Sequence, residues 1–365
     1  VPRKIRFGLV GANVSSNWAP VSHFPALMAS ADVELTAVCT TRAQSAEEAR
    51  IAYGAKLAFD DYREMVRSPE IEAVGVVIRV PQHYEVTKAA IAAGKHVFTE
   101  WPLGRNTAEA VELAGLARDA GVQSVVGLQA RLSPTLMYVK ELLDSGYLGD
   151  VLTYNISGFR SGGPRSRPAG GMWQADVDNG VNPLTVHFGH VVDALRFVAG
   201  EFESVRGTLS IGIPELFEAE TQRRVAVTAP DNVMVSGRLV GGANASIQVA
   251  AVPWAGPGFR MQIFGHDGTM VVTNSVSPQR GEASLLRAAR LGNELADVEI
   301  PDRFTYLPPE FPAGDPFNVG QLYHQFADAI RTGENHAPTF DTAVSLHLLL
   351  DAVRASSESG REVSL

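Results

Sequence analysis

A chain of 365 residues is longer than one hydrophobic core usually organises, so two domains are expected, and 45% hydrophobic with 19% charged residues is a folded composition, not a disordered one. A net charge of -9 without clustered Lys and Arg argues against a nucleic-acid partner, because binding a phosphate backbone needs concentrated cations. No run of about 18 apolar residues offers a membrane span, VPRKIRFGLVG leads straight into a strand, and the single Cys39 lies in an apolar run as a buried thiol, so a cytoplasmic, reducing location is expected.

In chain order, short β-branched runs at 5–10, 33–39, 73–80, 96–98 and 124–127 alternate with helical stretches at 25–29, 43–53, 62–66, 84–93 and 107–120. This is the pattern of βαβ units in a parallel sheet covered on both faces. The first strand runs through Gly8 to Gly11, Ala12 and Asn13, where a dinucleotide's pyrophosphate can meet backbone N–H groups. A complete Gly-x-Gly-x-x-Gly would need glycine where Asn13 and Ser16 stand. Asn13 tolerates positive φ, so it can still make the turn, and an ordinary strand–loop turn remains the alternative.

Beyond Arg131 the texture changes. A helix at 134–145 is followed by alternating strands at 233–240, 245–251, 260–264 and 269–273, with Gly-rich or Asp-Gly turns in GRLVGGANAS and FGHDGTM that favour hairpins. The fold class expected is α/β: a dinucleotide-binding domain over 1–130, and over 131–365 an α/β domain with a large, mainly antiparallel open sheet. Segment 158–171, GFRSGGPRSRPAGG, has three Arg among Gly and Pro and reads as an irregular surface loop, or as a lid over an anionic or polyol ligand. Helical periodicity at 320–332 and 341–357, with the apolar LHLLLDAV, predicts C-terminal helices that dock on a domain and can pack back on the first.

VIRVPQHYEVTKAAIAAGKHVFTEWPLG, VVGLQARLSP, HFGHVVDALRFVAG and FADAIRTGENHAPTFDTAVSLHLLLDAVRASSESGR together resemble the glucose-fructose oxidoreductase/inositol dehydrogenase (Gfo/Idh/MocA) family. NVSSNWAPVSHFPAL, VPQHYE and EWPLG are most similar to the branch containing the yeast galactose-regulon repressor and its bacterial relatives, a branch of enzymes and sensors. The resemblance implies a Rossmann domain, a second domain whose sheet supports homodimers or homotetramers, and a nicotinamide ring between them. By position it implies Gly11, Ala12 and Asn13 at the pyrophosphate, Thr41 and Arg42 at the adenosine ribose, Val80, Pro81 and His83 on the inner wall, and Glu100, Trp101 and Gln129 at the nicotinamide end.

An acidic residue after the second strand would bind the ribose hydroxyls of NAD; here the strand ends Cys39-Thr40-Thr41-Arg42, which favours NADP over NAD. Alternatively Thr41 merely caps the next helix and Arg42 faces solvent.

Most enzymes of the family, the resemblance implies, relay the substrate hydroxyl proton through the Lys of Glu-Lys-Pro and a His. Trp101 stands at the lysine position, and an indole cannot relay that proton, although it can stack on a sugar face or nicotinamide. His190 and Asp193 keep His-x-x-Asp, whereas Val186 and Phe188 replace the family's preceding Asp and Gly. His187 and His190 share one face at helical spacing and are the candidate catalytic acid/base groups, each with the alternative of a structural histidine. No third ligand stands at convincing spacing, so no metal is expected. Trp173, Asp176 and Asn179 in GMWQADVDNG, together with Tyr154, are candidates for the substrate pocket, with loop solvation and strand packing as the alternatives. The expected function is an NAD(P)-dependent oxidoreductase of a sugar, cyclitol or other hydroxylated small molecule. The rivals are an NAD(P)-binding sensor without turnover, and lyase or hydrolase chemistry with transient redox of bound NAD.

Overall fold

Strand β1 (Ile5–Val10) is buried along most of its length, with Phe7 and Leu9 fully enclosed and Arg6 near its start paired with Glu72, and it occupies the middle of a parallel sheet. The computed structural model describes residues 2–15, 18–161, 166–252 and 255–365, and the chain divides into two compact units, Val1–Leu132 with Thr305–Ser345, and Ser133–Phe304 with Leu346–Leu365.

In the first unit β1 is joined by β2 (Val33–Cys39), β3 (Leu57–Phe59), β4 (Ala73–Val76), β5 (His96–Thr99) and β6 (Ser124–Val126) in the order β3-β2-β1-β4-β5-β6. Every pairing is parallel. The order reverses between β1 and β4, and loops leaving the carboxyl ends of two such strands diverge to opposite faces and open a crevice. The helix Asp315–Thr332 belongs to this unit and buries Leu322, Tyr323 and Phe326; its His324 and Arg331 hold Asp32 at 2.8 Å each.

The second unit is built on a nine-stranded sheet. Its strands are β7 (Val151–Ser161), β9 (Phe202–Ser210), β12 (Asn232–Leu239), β13 (Asn244–Val252), β14 (Gly258–Gly265), β15 (Gly268–Asn274), β16 (Leu285–Arg290), β17 (Ala296–Asp297) and β18 (Val363–Ser364). Their order is β17-β16-β15-β14-β7-β13-β12-β9-β18, and β7 with β13 is the parallel pair in an otherwise antiparallel array. Both expected hairpins form, β12 with β13 across Gly241-Gly242 and β14 with β15 across His266-Asp267. A smaller sheet joins β8 (Ser166–Arg167), β10 (Glu215–Glu218) and β11 (Arg224–Ala226). The fold class is therefore the α/β arrangement expected from the sequence.

Segment 158–171 departs from expectation. Gly158, Phe159 and Arg160 continue β7, paired with Val249, Ala250 and Ala251 on one side, and the rest of the loop includes β8 and a 3-10 stretch, Ala169–Ala175. Residues Gly162, Gly163, Pro164 and Arg165, like Ser16, lie outside the described residues.

Candidate active site

At the switch point of the first unit the chain leaves β1 through Gly11 with φ +94°, and a Cβ there would stand 2.0 Å from Val77 O. The position therefore demands glycine twice, for its left-handed φ and for close backbone approach. The amides of Gly11 and Ala12 both donate to Cys39 O, at 3.0 and 3.2 Å, and Asn13 Oδ1 accepts from the Ser15 amide at 2.8 Å. Those two N–H groups are thus engaged by β2. The next helix, His23–Ala29, is seven residues long and begins well after the strand, so it does not follow the turn directly as in Gly-x-Gly-x-x-Gly.

At the end of β2 the Thr40 hydroxyl donates to Arg42 O at 2.9 Å and lies 2.7 Å from Ser45 Oγ. Thr40, not Thr41, makes this local turn bond, while Thr41 and Arg42 are exposed. Burial, with the charges of Asp61 and Asp60 from the end of β3, pushes the Cys39 thiol up to about 12. These two carboxylates near the end of β2 were not anticipated, because β3 is only three residues long and carries no strong strand signal.

The loop after β4 holds Val80, Pro81 and His83. His83 is buried, with Nδ1 2.8 Å from Pro102 O and Nε2 3.0 Å from Ile78 O. Burial pushes its pKa down, against those carbonyls and Glu100. The ring therefore fastens the loop after β4 to the loop after β5.

After β5, Glu100 sits in a buried chain of polar groups. Gln129 Nε2 donates to both of its oxygens at 2.9 and 3.1 Å, His23 Nε2 lies 2.8 Å from Oε1, and His23 Nδ1 lies 2.6 Å from the Tyr323 hydroxyl. A proton on Nε2 satisfies both His23 contacts, with Tyr323 donating to Nδ1. Burial and Glu100 push the Tyr323 pKa well up, which keeps its hydroxyl protonated as that donor. Sequence reasoning found Glu100 and Gln129 but not His23 and Tyr323, whose partners lie 77 and 300 residues away from His23. Trp101, joined to Pro102 by a cis bond, is 5% exposed, so its indole is covered and does not form the open stacking platform that an isolated tryptophan suggests.

In the second unit a π-helical turn, Pro183–Phe188, precedes the helix Gly189–Ala199, and Asn182 with Thr185 closes a capping box at its start. Wider turns of this type recur at functional sites because they re-aim a side chain. His187 is 3% exposed, and among the described residues neither ring nitrogen has a hydrogen-bond partner. Burial, then the charges of Arg160 and His190, push its pKa down to about 3. His187 is therefore neutral at physiological pH, a correction to the expectation of a group titrating near neutrality. His190 is likewise buried, and Asp193 is engaged by Arg196 at 3.3 Å, itself gripped by Glu201 at 2.7 Å through two bonds.

The remaining candidates sit elsewhere in this unit. Asp176 is exposed and caps a short turn by accepting from the Asp178 amide at 3.0 Å, while Asn179 Nδ2 donates to Trp173 O at 2.8 Å. These bonds tie 173–179 to itself. Tyr154 is a packed strand residue, opposite Ala245 and Ile263, its hydroxyl pushed up to about 12 by burial. Among the described residues no group of His, Cys, Asp and Glu could hold a metal, and no helix is long and apolar enough to cross a membrane.

Residues 5–128 match the oxidoreductase family with an NAD-binding Rossmann fold, GFO_IDH_MocA, and residues 134–274 match the C-terminal domain of Gal80p. The chain belongs to the Gfo/Idh/MocA family. Within it, the chain is 27% identical to the dehydrogenase aclE of Aspergillus oryzae over 98% of both chains. It is 30% identical to the galactose/lactose metabolism regulatory protein GAL80 of Saccharomyces cerevisiae, over 65% of this chain and 58% of that protein. The structure of levoglucosan dehydrogenase in complex with NADH and L-sorbose superposes with a TM-score of 0.86 at 22% identity, covering 100% of this chain and 99% of the other, and shares the fold.

Proposed function

We propose that this protein is a cytoplasmic NAD(P)-dependent oxidoreductase acting on a sugar, cyclitol or related hydroxylated small molecule. The reading is carried by the glycine-only approach of Gly11 to Val77 O at the sheet's switch point, a cradle that a single Cβ would fill. End-to-end likeness to a dehydrogenase supports it. The turn through Gly11, Ala12 and Asn13 would line the phosphates, and exposed Arg42 would pair with the 2'-phosphate of NADP. Asp60 and Asp61 place negative charge at neighbouring strand ends, so selection of NADP depends on Arg42.

A bound nicotinamide supplies or accepts the hydride; the chain's residues position the substrate and handle its proton. Trp101 stands where the family's lysine is, and in this proposal His190 takes the proton of the substrate hydroxyl while neutral His187 offers a hydrogen bond. Glu100, held by Gln129 and His23, keeps the loop after β5 in place.

A second reading, a dinucleotide-binding sensor, is favoured by Trp101 at the lysine position and by likeness to GAL80. Mixing the protein with NADP or NAD and a panel of sugars and cyclitols, while following the absorbance of reduced cofactor, separates the two. Turnover with any of them removes the pure sensor. Saturable binding of dinucleotide and sugar without hydride transfer favours it.

A further inference from the structure

Arg160, near the end of β7, is a half-buried cation with no carboxylate and no hydrogen bond around it among the described residues; burial, Arg280 and Arg167 all push its pKa down and nothing pushes it up. The residues of this unit outside the description, Gly162, Gly163, Pro164, Arg165, Pro253 and Trp254, carry no carboxylate. Nearby segments spend theirs elsewhere. Asp231 accepts from the amides of Gly212 and Ile213, Glu220 from that of Ala169, and Glu218 from Thr221 and Arg223.

Gly158, two residues before Arg160, points to the same face of β7, and a Cβ on it would stand 3.2 Å from His187 Nε2. His187 thus lies over the face on which Arg160 emerges, buried with both ring nitrogens unbonded among the described residues. Removing a cation from water without a counter-charge, beside two like charges, is unfavourable, as is burying an imidazole N–H without an acceptor. One anion answers both deficits. Arg presents a planar fork that matches the oxygens of a carboxylate or phosphate, and a neutral imidazole adds one N–H donor.

We infer that the second unit's site takes an anionic ligand, its carboxylate or phosphate group held by Arg160 and His187. On the oxidoreductase reading, on which this identification of the substrate rests, the substrate is an acidic sugar or cyclitol, or a phosphate ester of one. A neutral polyol would leave Arg160 uncompensated.

The test uses the full-length protein without dinucleotide, titrated with inorganic phosphate and with acetate, and reads the ring-nitrogen NMR signals of His187, assigned with His187→Gln. The expected result is a saturable shift of the His187 signals, with affinity weakened about 10-fold or more in Arg160→Met and partly kept in Arg160→Lys. Tighter binding of acetate identifies a carboxylate-bearing ligand, and tighter binding of phosphate a phosphate ester. Ligand-free Arg160→Met should melt no lower than the parent, since it removes an uncompensated charge. No saturable shift at His187 in the folded protein, or equal affinity in Arg160→Met, overturns the inference. Binding is read here without turnover, so an anion site in a protein that never transfers hydride would retire the oxidoreductase reading and leave the anion contact standing.

Discussion

A methyl group at Gly11 would need both a left-handed backbone and the displacement of Val77 O, 2.0 Å away. Gly11→Ala should therefore cost about 2–5 kcal/mol of stability and weaken dinucleotide binding, checked by chemical denaturation and calorimetry on the same sample. Unchanged stability would mean that the two loops can part freely. Arg42→Ala should weaken NADP more than NAD, because only NADP loses a charge partner; equal losses in two titrations would leave Arg42 as solvated surface. His190→Ala should lower turnover about 100- to 10,000-fold while leaving dinucleotide affinity near that of the parent, the signature of a lost acid/base group. A variant that loses melting temperature and affinity together would place His190 in packing instead, and a selective loss in His187→Ala would move the proton role there. At this scale the sequence revealed residue types better than surroundings. Glycine at position 11 and the carboxylate at 100 were legible, because strand ends and motif positions are local. The covering of Trp101 and the carbonyl partners of His83 were not, since both arise from loops that meet only after folding.

The π-helical turn Pro183–Phe188 had no signature in the sequence, because one extra residue in a helical turn changes neither composition nor the apolar pattern enough to be read. It governs His187, and a pH effect follows. The folded pKa is depressed to about 3 from the ordinary imidazole value of 6.5, so below pH 6.5 the unfolded chain takes up a proton that the folded chain refuses. Stability from this group is fully present above pH 6.5 and is lost as pH falls, by about 1.4 kcal/mol per pH unit, levelling near pH 3. Denaturation midpoints of the parent and His187→Gln between pH 7 and 5 should converge on acidification; parallel curves would contradict the buried, neutral ring. The extension of β7 through Gly158 to Ser161 was also hidden. Glycine and arginine lower strand propensity, yet ladder pairing to β13 and β14 on both sides outweighs it.

At the scale of the whole chain, alternation of β-branched runs with Ala-rich helices was enough to read the parallel sheet, and period-2 strands with Gly-rich turns were enough to read the antiparallel one. Strand order was not legible: the crossover that puts β7 parallel to β13 joins segments far apart in sequence. The open face of the larger sheet carries Asn155, Ser157, Ser246 and Gln248 around Met234, which is 52% exposed. We propose that this face supports a homodimer or homotetramer; sedimentation should show the oligomer and Met234→Arg should shift it toward monomer, while a monomeric parent would refute the proposal. The central claim, a nicotinamide dinucleotide held at the switch point of the first sheet, is tested most directly by calorimetric titration of the parent protein with NADPH and NADH. Saturable binding of at least one, tighter for NADPH and reduced by Gly11→Ala, is the predicted result, and no binding of either at millimolar concentration would contradict it.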